Sequence, residues 1–228
     1  MASVSRNATM SDYADFVNAV FSIQNDRYYT LWDMLTNIQR FSMRGIKGVR
    51  KGDAGKAKVN ILLALSWYTS LMNQLHIKVD DIVWERFPYR CSYCGRQPCA
   101  CKTEKVQARR KVESDGAARP GTMAQYQEMF GKIYPPESRS KEHAAIHLAE
   151  ELGELTEAFH IYMSFRDKRS FGNVCLESAD FFSCSMGVLN SLGIDWASEA
   201  SALWSDNCYI CHNAPCTCTF EAVTSYMS

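Results

Sequence analysis

The sequence predicts an all-α protein made of two tandem four-helix units, each ending in a small four-cysteine metal module. Three observations lead there. Apolar residues recur at helical spacing, and no alternating strand pattern competes with them. Two cysteine groups share one spacing. One long offset lays the first half of the chain on the second. The composition suits such a fold. Of 228 residues 46% are hydrophobic, and 25 basic residues balance 25 acidic ones, so a buried core is attainable and global disorder is not expected. Zero net charge argues against a whole-protein electrostatic hold on nucleic acid.

The cysteine groups are Cys91, Cys94, Cys99, Cys101 and Cys208, Cys211, Cys216, Cys218. Both read C-x2-C-x4-C-x-C, and adding 117 to each number of the first gives the second. The same offset carries Leu75-His76-Ile77 onto Leu192-Gly193-Ile194, Asn73 onto Asn190, Ser66 onto Ser183 and Leu35 onto Leu152. Upstream of about Asn25–Tyr29 the offset becomes 113, and Tyr13 then meets Tyr126 while Val20 meets Ile133. The units are therefore expected at 1–101 and 123–228. The polar, charged stretch 102–122, with its run Ala108-Arg-Arg-Lys111, reads as a solvated linker.

In chain order, helices are expected near 11–24, 28–43, 56–76 and 79–86 in the first unit. In the second unit a helix over 123–133 ends before Pro135-Pro136, which cannot continue it. The next carries Leu148, Leu152, Leu155 and Phe159 on one face, with Ser138 or Ser140 as its cap. A third covers 176–191 and stops at Gly193, and a fourth covers 196–204. The middle two are joined by a loop around Arg166–Asn173. Its counterpart in the first unit is the Gly-rich, basic stretch Arg44–Lys56.

The longest apolar stretch, near Ile61–Trp67, falls far short of the roughly 18 residues a membrane span needs. Met1–Asp12 lacks the apolar core of a secretory signal. An intracellular, cytoplasmic protein with no membrane partner is expected, and there grouped cysteines hold metal more often than they form disulfides. Four cysteines within 11 residues can wrap one ion as a closed tetrahedral site. Zn²⁺ is the first choice and an iron–sulfur cluster the alternative. His212 is set aside as a ligand because Gly95 stands at the matching place in the first copy. Each module either clamps the end of its helical unit or contacts nucleic acid or a protein. Arg90, Arg96 and Lys102 lean the first module towards contact; the second has no such neighbours. Cys175 and Cys184 stand apart and read as small buried apolar residues.

The second unit also carries Glu150-Glu151-Leu-Gly-Glu154 and, after 22 residues, Glu177-Ser-Ala-Asp180. Glu150 and Glu154 are i,i+4 on a helix, Glu151 and Glu154 are i,i+3, and so are Glu177 and Asp180. Two such helices packed antiparallel bring the acidic groups face to face. Like charges so placed repel, and burying them uncompensated costs several kcal/mol each. A hard divalent cation such as Mg²⁺, which takes oxygen ligands, resolves the conflict.

This pattern, with the flanking text HLAEELGELTEAF and LESADFFSCSMGVLNSLGID, resembles the signature of the MazG-like, all-α nucleotide pyrophosphohydrolases. The resemblance covers about 125–205 directly and 11–86 only through the repeat. It implies Mg²⁺ among Glu150, Glu151, Glu154, Glu177 and Asp180, and hydrolysis of a (deoxy)nucleoside triphosphate to monophosphate and pyrophosphate. Glu150 or Glu177 is the candidate general base. The family's dimeric habit further implies that the tandem copies form a fused pseudo-dimer, with scope for further self-association. The cysteine modules are no part of that family's usual pattern. They keep open a second reading: a zinc-bearing adaptor or sensor that binds nucleotide or nucleic acid without turnover.

Subtracting 117 from the five acidic positions gives Asp33, Met34, Asn37, Asn60 and Leu63. The first copy is therefore expected to be catalytically silent and to serve as a pocket wall. Substrate contacts are expected from His147, one turn before Glu151, and from the interhelical loops through Arg166, Lys168, Arg169 and Lys56. Trp32, Trp67, Tyr68 and Tyr134 are aromatics able either to stack a base or to fill the core.

Overall fold

The structure is a computed structural model and describes residues 3–104, 112–114 and 116–225. The basic run Ala108–Lys111 lies outside the described residues. All regular structure among the described residues is helical: α1 (Met10–Tyr28), α2 (Leu31–Arg50), α3 (Ala54–Gln74), α4 (Val79–Arg86), α5 (Met123–Ile133), a 3-10 turn (Pro136–Ser138), α6 (Lys141–Phe165), α7 (Lys168–Ser191), α8 (Trp196–Trp204) and α9 (Phe220–Thr224). No helix among them is long and apolar enough to cross a membrane.

Local sequence explains where the helices start. Thr9 with Asp12, Thr30 with Asp33 and Thr122 with Gln125 form capping boxes, each closing two backbone donors that a helix start leaves open. Ser140 caps α6 by accepting from the His143 backbone N–H. Asp167 does the same for α7 through Ser170. The predicted loop at Arg166–Asn173 therefore shrinks to a left-handed Arg166 and the capping Asp167, with Lys168 already helical. The Gly-rich stretch of the first repeat is corrected likewise, since α2 runs through Gly45 and Gly48 to Arg50 and α3 begins at Ala54. Those glycines admit close packing of helices. A Cβ on Gly48 would sit 2.6 Å from the Ala57 nitrogen, and one on Gly45 would sit 2.6 Å from the Ile61 Cδ1.

The helices gather into two compact units that cut across the sequence repeats at 1–101 and 123–228. One unit is Met1–Lys78 with Asp195–Ser228, and the other is Val79–Ile194. Each takes three long helices from one repeat, but the short helix and cysteine module from the other. The reason lies in what the short helices bury. In the unit 79–194, α6 packs along α7, and α4 and α5 pack on α7. Val83 and Phe87 are buried there, and Phe87 meets Phe130 edge-on at 5.3 Å. The stretch before α5 is tied down by Arg119, which pairs with Asp80 and Asp81.

In the unit of 1–78 with 195–228, α2 packs along α3 and α1 packs on α3. Trp196 and Trp204 of α8 are buried beside Tyr13, with ring centroids at 5.6 and 6.0 Å. Lys58 pairs with Glu199 at 2.7 Å. The two units are built alike. The Cys99 N–H donates to the Ile133 carbonyl in one, as the Cys216 N–H donates to the Val20 carbonyl in the other. The Asn190 amide donates to the Gln127 carbonyl, as the Asn73 amide donates to the Ala14 carbonyl.

Candidate metal centres and ligand pocket

Each cysteine group brings its four sulfurs within 4.8 Å of one another, and none is in a disulfide. Cys91 and Cys101 stand 3.7 Å apart, Cys94 and Cys99 4.0 Å, and both Cys208–Cys218 and Cys211–Cys216 3.8 Å. A tetrahedron with Zn–S bonds of about 2.3 Å has edges of about 3.8 Å, so the spacing suits a Zn²⁺-sized ion. Backbone N–H groups of Tyr93, Ala100, Thr217 and Cys218 point at the sulfurs from 3.4 Å, which favours thiolates. One thiol of each set, Cys91 and Cys208, is held well below the ordinary thiol range. The neighbouring thiols Cys99 and Cys216 contribute most to this, against the opposing effect of burial.

The acidic residues divide. Glu151 from α6 and Glu177 and Asp180 from α7 place one carboxylate oxygen each within 4.8 Å of the others. Glu150 and Glu154, expected as ligands, are exposed and fall outside this group. The helical register accounts for it: Glu151 lies on the side of α6 that packs on α7, and its neighbours lie on the flanks. Arg86 of α4 forks onto Asp180, with Nε at 3.1 Å and Nη2 at 2.5 Å. Both partners are buried, with side chains 12% and 8% exposed. One guanidinium does not satisfy three carboxylates. The Oε2 atoms of Glu151 and Glu177 are buried without a hydrogen-bond partner. Burial, then Asp180, Glu154 and Glu177, push Glu151 up to about 8, with Arg86 opposing. Burial, Asp180 and Glu154 push Glu177 up to about 7. Buried oxygens with no donor, clustered at this separation, suit a hard divalent cation.

Glu151 and Asp180 open into a cavity of about 370 Å³ in the same unit. Its other walls are the module of Cys91–Cys101, the aromatics Phe87, Tyr93 and Tyr134, the basic residues Lys102 and Arg139, and the imidazoles of His143 and His147. Burial, then His143 and Arg139, hold His147 below the ordinary imidazole range. His147 is thus where it was expected. Arg166 is an exposed helix cap, and Lys168 and Arg169 line a separate open groove of about 690 Å³ together with Arg86. Lys56 belongs to the first turn of α3 in the other compact unit. Of the candidate stacking residues, Tyr134 faces the cavity, Tyr68 is core, and Trp32 lies on the outside of α2. Cys184, expected as plain core, is only partly buried and lines the cavity.

The unit of 1–78 with 195–228 has a matching place, and it is filled. Leu63, Ser66, Trp67 and Ser70 stand where the other unit has Asp180, Ser183, Cys184 and Gly187, and only about 50 Å³ remains. Tyr29 packs edge-on against Trp67 at 4.9 Å. Met34 and Leu63 are buried, and Asn37 and Asn60 turn their amides back onto the carbonyls of Asp33 and Lys56. Asp33 caps α2.

As neighbours of the carboxylates, Arg86, Lys102 and Arg139 escaped the sequence reading, which took Lys102 only as a contact of the first cysteine module. The repeat held a signal for two of them, since Arg86 stands opposite Leu203 and Lys102 opposite Thr219. Compared with protein-family models, with curated proteins and with solved structures, the chain matches none.

Proposed function

We propose that the chain is a Mg²⁺-dependent pyrophosphohydrolase of the MazG-like kind, converting a (deoxy)nucleoside triphosphate to its monophosphate and pyrophosphate at one site. The observation that carries the reading is the trio Glu151, Glu177 and Asp180, with its two unpartnered buried oxygens, of which Glu151 and Asp180 line a cavity shared with Lys102 and Arg139. These three residues would hold Mg²⁺, and Glu150 and Glu154 flank them. Such an ion would supply charge neutralisation for the phosphates and make a nearby water easier to deprotonate. Asp180 is kept in place by Arg86, a residue of the first repeat. Glu177 is the base of choice, being grouped with the other two where Glu150 is not. It takes the proton as the water oxygen bonds to the α-phosphorus. The bond from that phosphorus to the bridging oxygen breaks, and the pyrophosphate leaves with the electron pair. The two cysteine modules hold Zn²⁺ and fix the end of each unit.

The test is pyrophosphate release from a panel of nucleoside triphosphates with and without Mg²⁺. Glu151→Gln and Glu177→Gln should each remove it. Equal release by both variants and the wild type would refute the assignment. The Arg86–Asp180 pair favours one rival, because an arginine already occupies part of the acidic site. In that rival the protein binds nucleotide through the cavity without turnover. Tight binding with no product formed would decide for it.

A further inference from the structure

The structure assigns Lys102, Arg139, His143 and His147 to one anion-binding arm, which seats the phosphates that depart as pyrophosphate. The assignment rests on the pyrophosphohydrolase reading of the acidic trio. It moves the phosphate contacts away from Arg166, Lys168 and Arg169.

The four side chains line the same cavity as Glu151 and Asp180. Among the described residues none of the four makes an ion pair. Lys102 donates to the Ser138 carbonyl at 2.7 Å, which orients it without neutralising it. The Arg139 guanidinium lies over the Tyr134 ring at 4.9 Å, and the two imidazoles stack at 4.4 Å, so their directions are set by packing. Arg139 Nε and His143 Nδ1 are buried and have no hydrogen-bond partner among the described residues. Basic and imidazole side chains free of ion pairs, beside clustered carboxylates, suit a ligand that carries several acceptor oxygens and negative charge. A nucleobase edge would not call for the paired charges of Lys102 and Arg139. A polyphosphate matches both halves of the cavity at once, being drawn to the cation at the carboxylates and to the arm beside them.

The filled pocket of the other unit provides an internal comparison. It has lost the carboxylates, and no lysine, arginine or histidine lines it. Thr219 stands in place of Lys102 and Thr30 in place of His147. Acidic and cationic residues are thus present together in one cavity and absent together from its counterpart. That joint loss is what a shared ligand would leave behind, whereas cations serving only the cysteine module would have stayed with it. Lys102 follows Cys101 directly, so the first module also positions one finger of the arm.

The test uses the full chain and two probes. Mn²⁺ alone, followed by electron paramagnetic resonance, reads the carboxylates. Pyrophosphate, titrated by calorimetry with and without Mg²⁺, reads the arm. Arg139→Ala and His143→Ala should each weaken pyrophosphate binding about tenfold, the loss expected for one charge-assisted hydrogen bond, and leave Mn²⁺ binding unchanged. Arg139→Lys should recover part of it, and His143→Gln covers the case of an alanine variant that fails to fold. Wild-type pyrophosphate affinity in Arg139→Ala and His143→Gln would overturn the arm, and so would a wild-type chain that binds no pyrophosphate under either condition. A wild-type chain that binds no Mn²⁺ would refute the carboxylate reading instead, and the arm would then be judged on pyrophosphate without metal.

Discussion

Replacing Glu151 with glutamine should make the Mg²⁺-free protein more stable in mild alkali and indifferent to Mg²⁺. In the folded chain the Glu151 carboxyl is pushed from 4.5 up to about 8, first by burial and then by the acidic groups around it. A raised carboxyl pKa means that the fold prefers the protonated form. The stabilisation it brings is complete below about pH 4.5 and is lost as pH rises through about 8. At about 1.36 kcal/mol per pH unit the whole shift would approach 5 kcal/mol, but the carboxyl is only partly buried. Screening by solvent reduces the figure to about 1–2 kcal/mol. Glutamine cannot ionise and escapes this loss. In a chain of this size the gain is worth a rise in Tm of about 3–6 °C at pH 9 and close to none at pH 5. The assay is thermal unfolding by circular dichroism at both pH values, without chelator, with Mg²⁺ then added. Mg²⁺ should raise the Tm of the wild type at pH 8 and leave that of Glu151→Gln unmoved. A variant less stable than the wild type at pH 9, or one that Mg²⁺ stabilises as well as the wild type, would refute the reasoning.

Four further outcomes are expected. Arg86→Ala removes the guanidinium that forks onto buried Asp180 and should cost about 3–5 kcal/mol in urea unfolding, with part of the loss recovered on adding Mg²⁺. Cys94→Ser and Cys211→Ser should each lower bound zinc by about one ion per chain in elemental analysis, leaving the other module loaded. Gly48→Ala drives a methyl into the Ala57 backbone and should destabilise by about 1–3 kcal/mol. Gly153→Ala meets nothing within 4 Å and should be neutral or stabilising by up to about 1 kcal/mol, as unfolding midpoints would show.

Helical periodicity and turn residues made most of the fold legible. The extents 79–86, 123–133 and 196–204 read from the sequence agree with the helices found. The glycines of Arg44–Lys56 misled because glycine serves two ends, freedom in a loop and close approach in a helix, and only the packing partners Ala57 and Ile61 distinguish them. Within the site, Glu151, Glu177 and Asp180 were legible through their spacing, as were both cysteine sets. Glu150 was not separable from Glu151, since adjacent positions differ by about 100° around a helix and the sequence does not say which flank meets α7. The assignment of α4 was hidden for a different reason. A repeat shows which segments are alike, and it is silent on which copy each segment packs against. The arm was hidden by distance, Lys102 lying 49 positions from Glu151.

The way the units divide the chain also orders its birth on the ribosome. Residues 79–194 form one unbroken unit, complete as soon as its last turn is made. The other unit needs Trp196, Trp204 and the second thiol cluster beside helices synthesised more than a hundred residues earlier. Domains generally mature from the N-terminus onward. Here α1 to α3 leave the tunnel before the rest of their unit, and the face that Trp196 and Trp204 cover stays open until residues 195–228 are made.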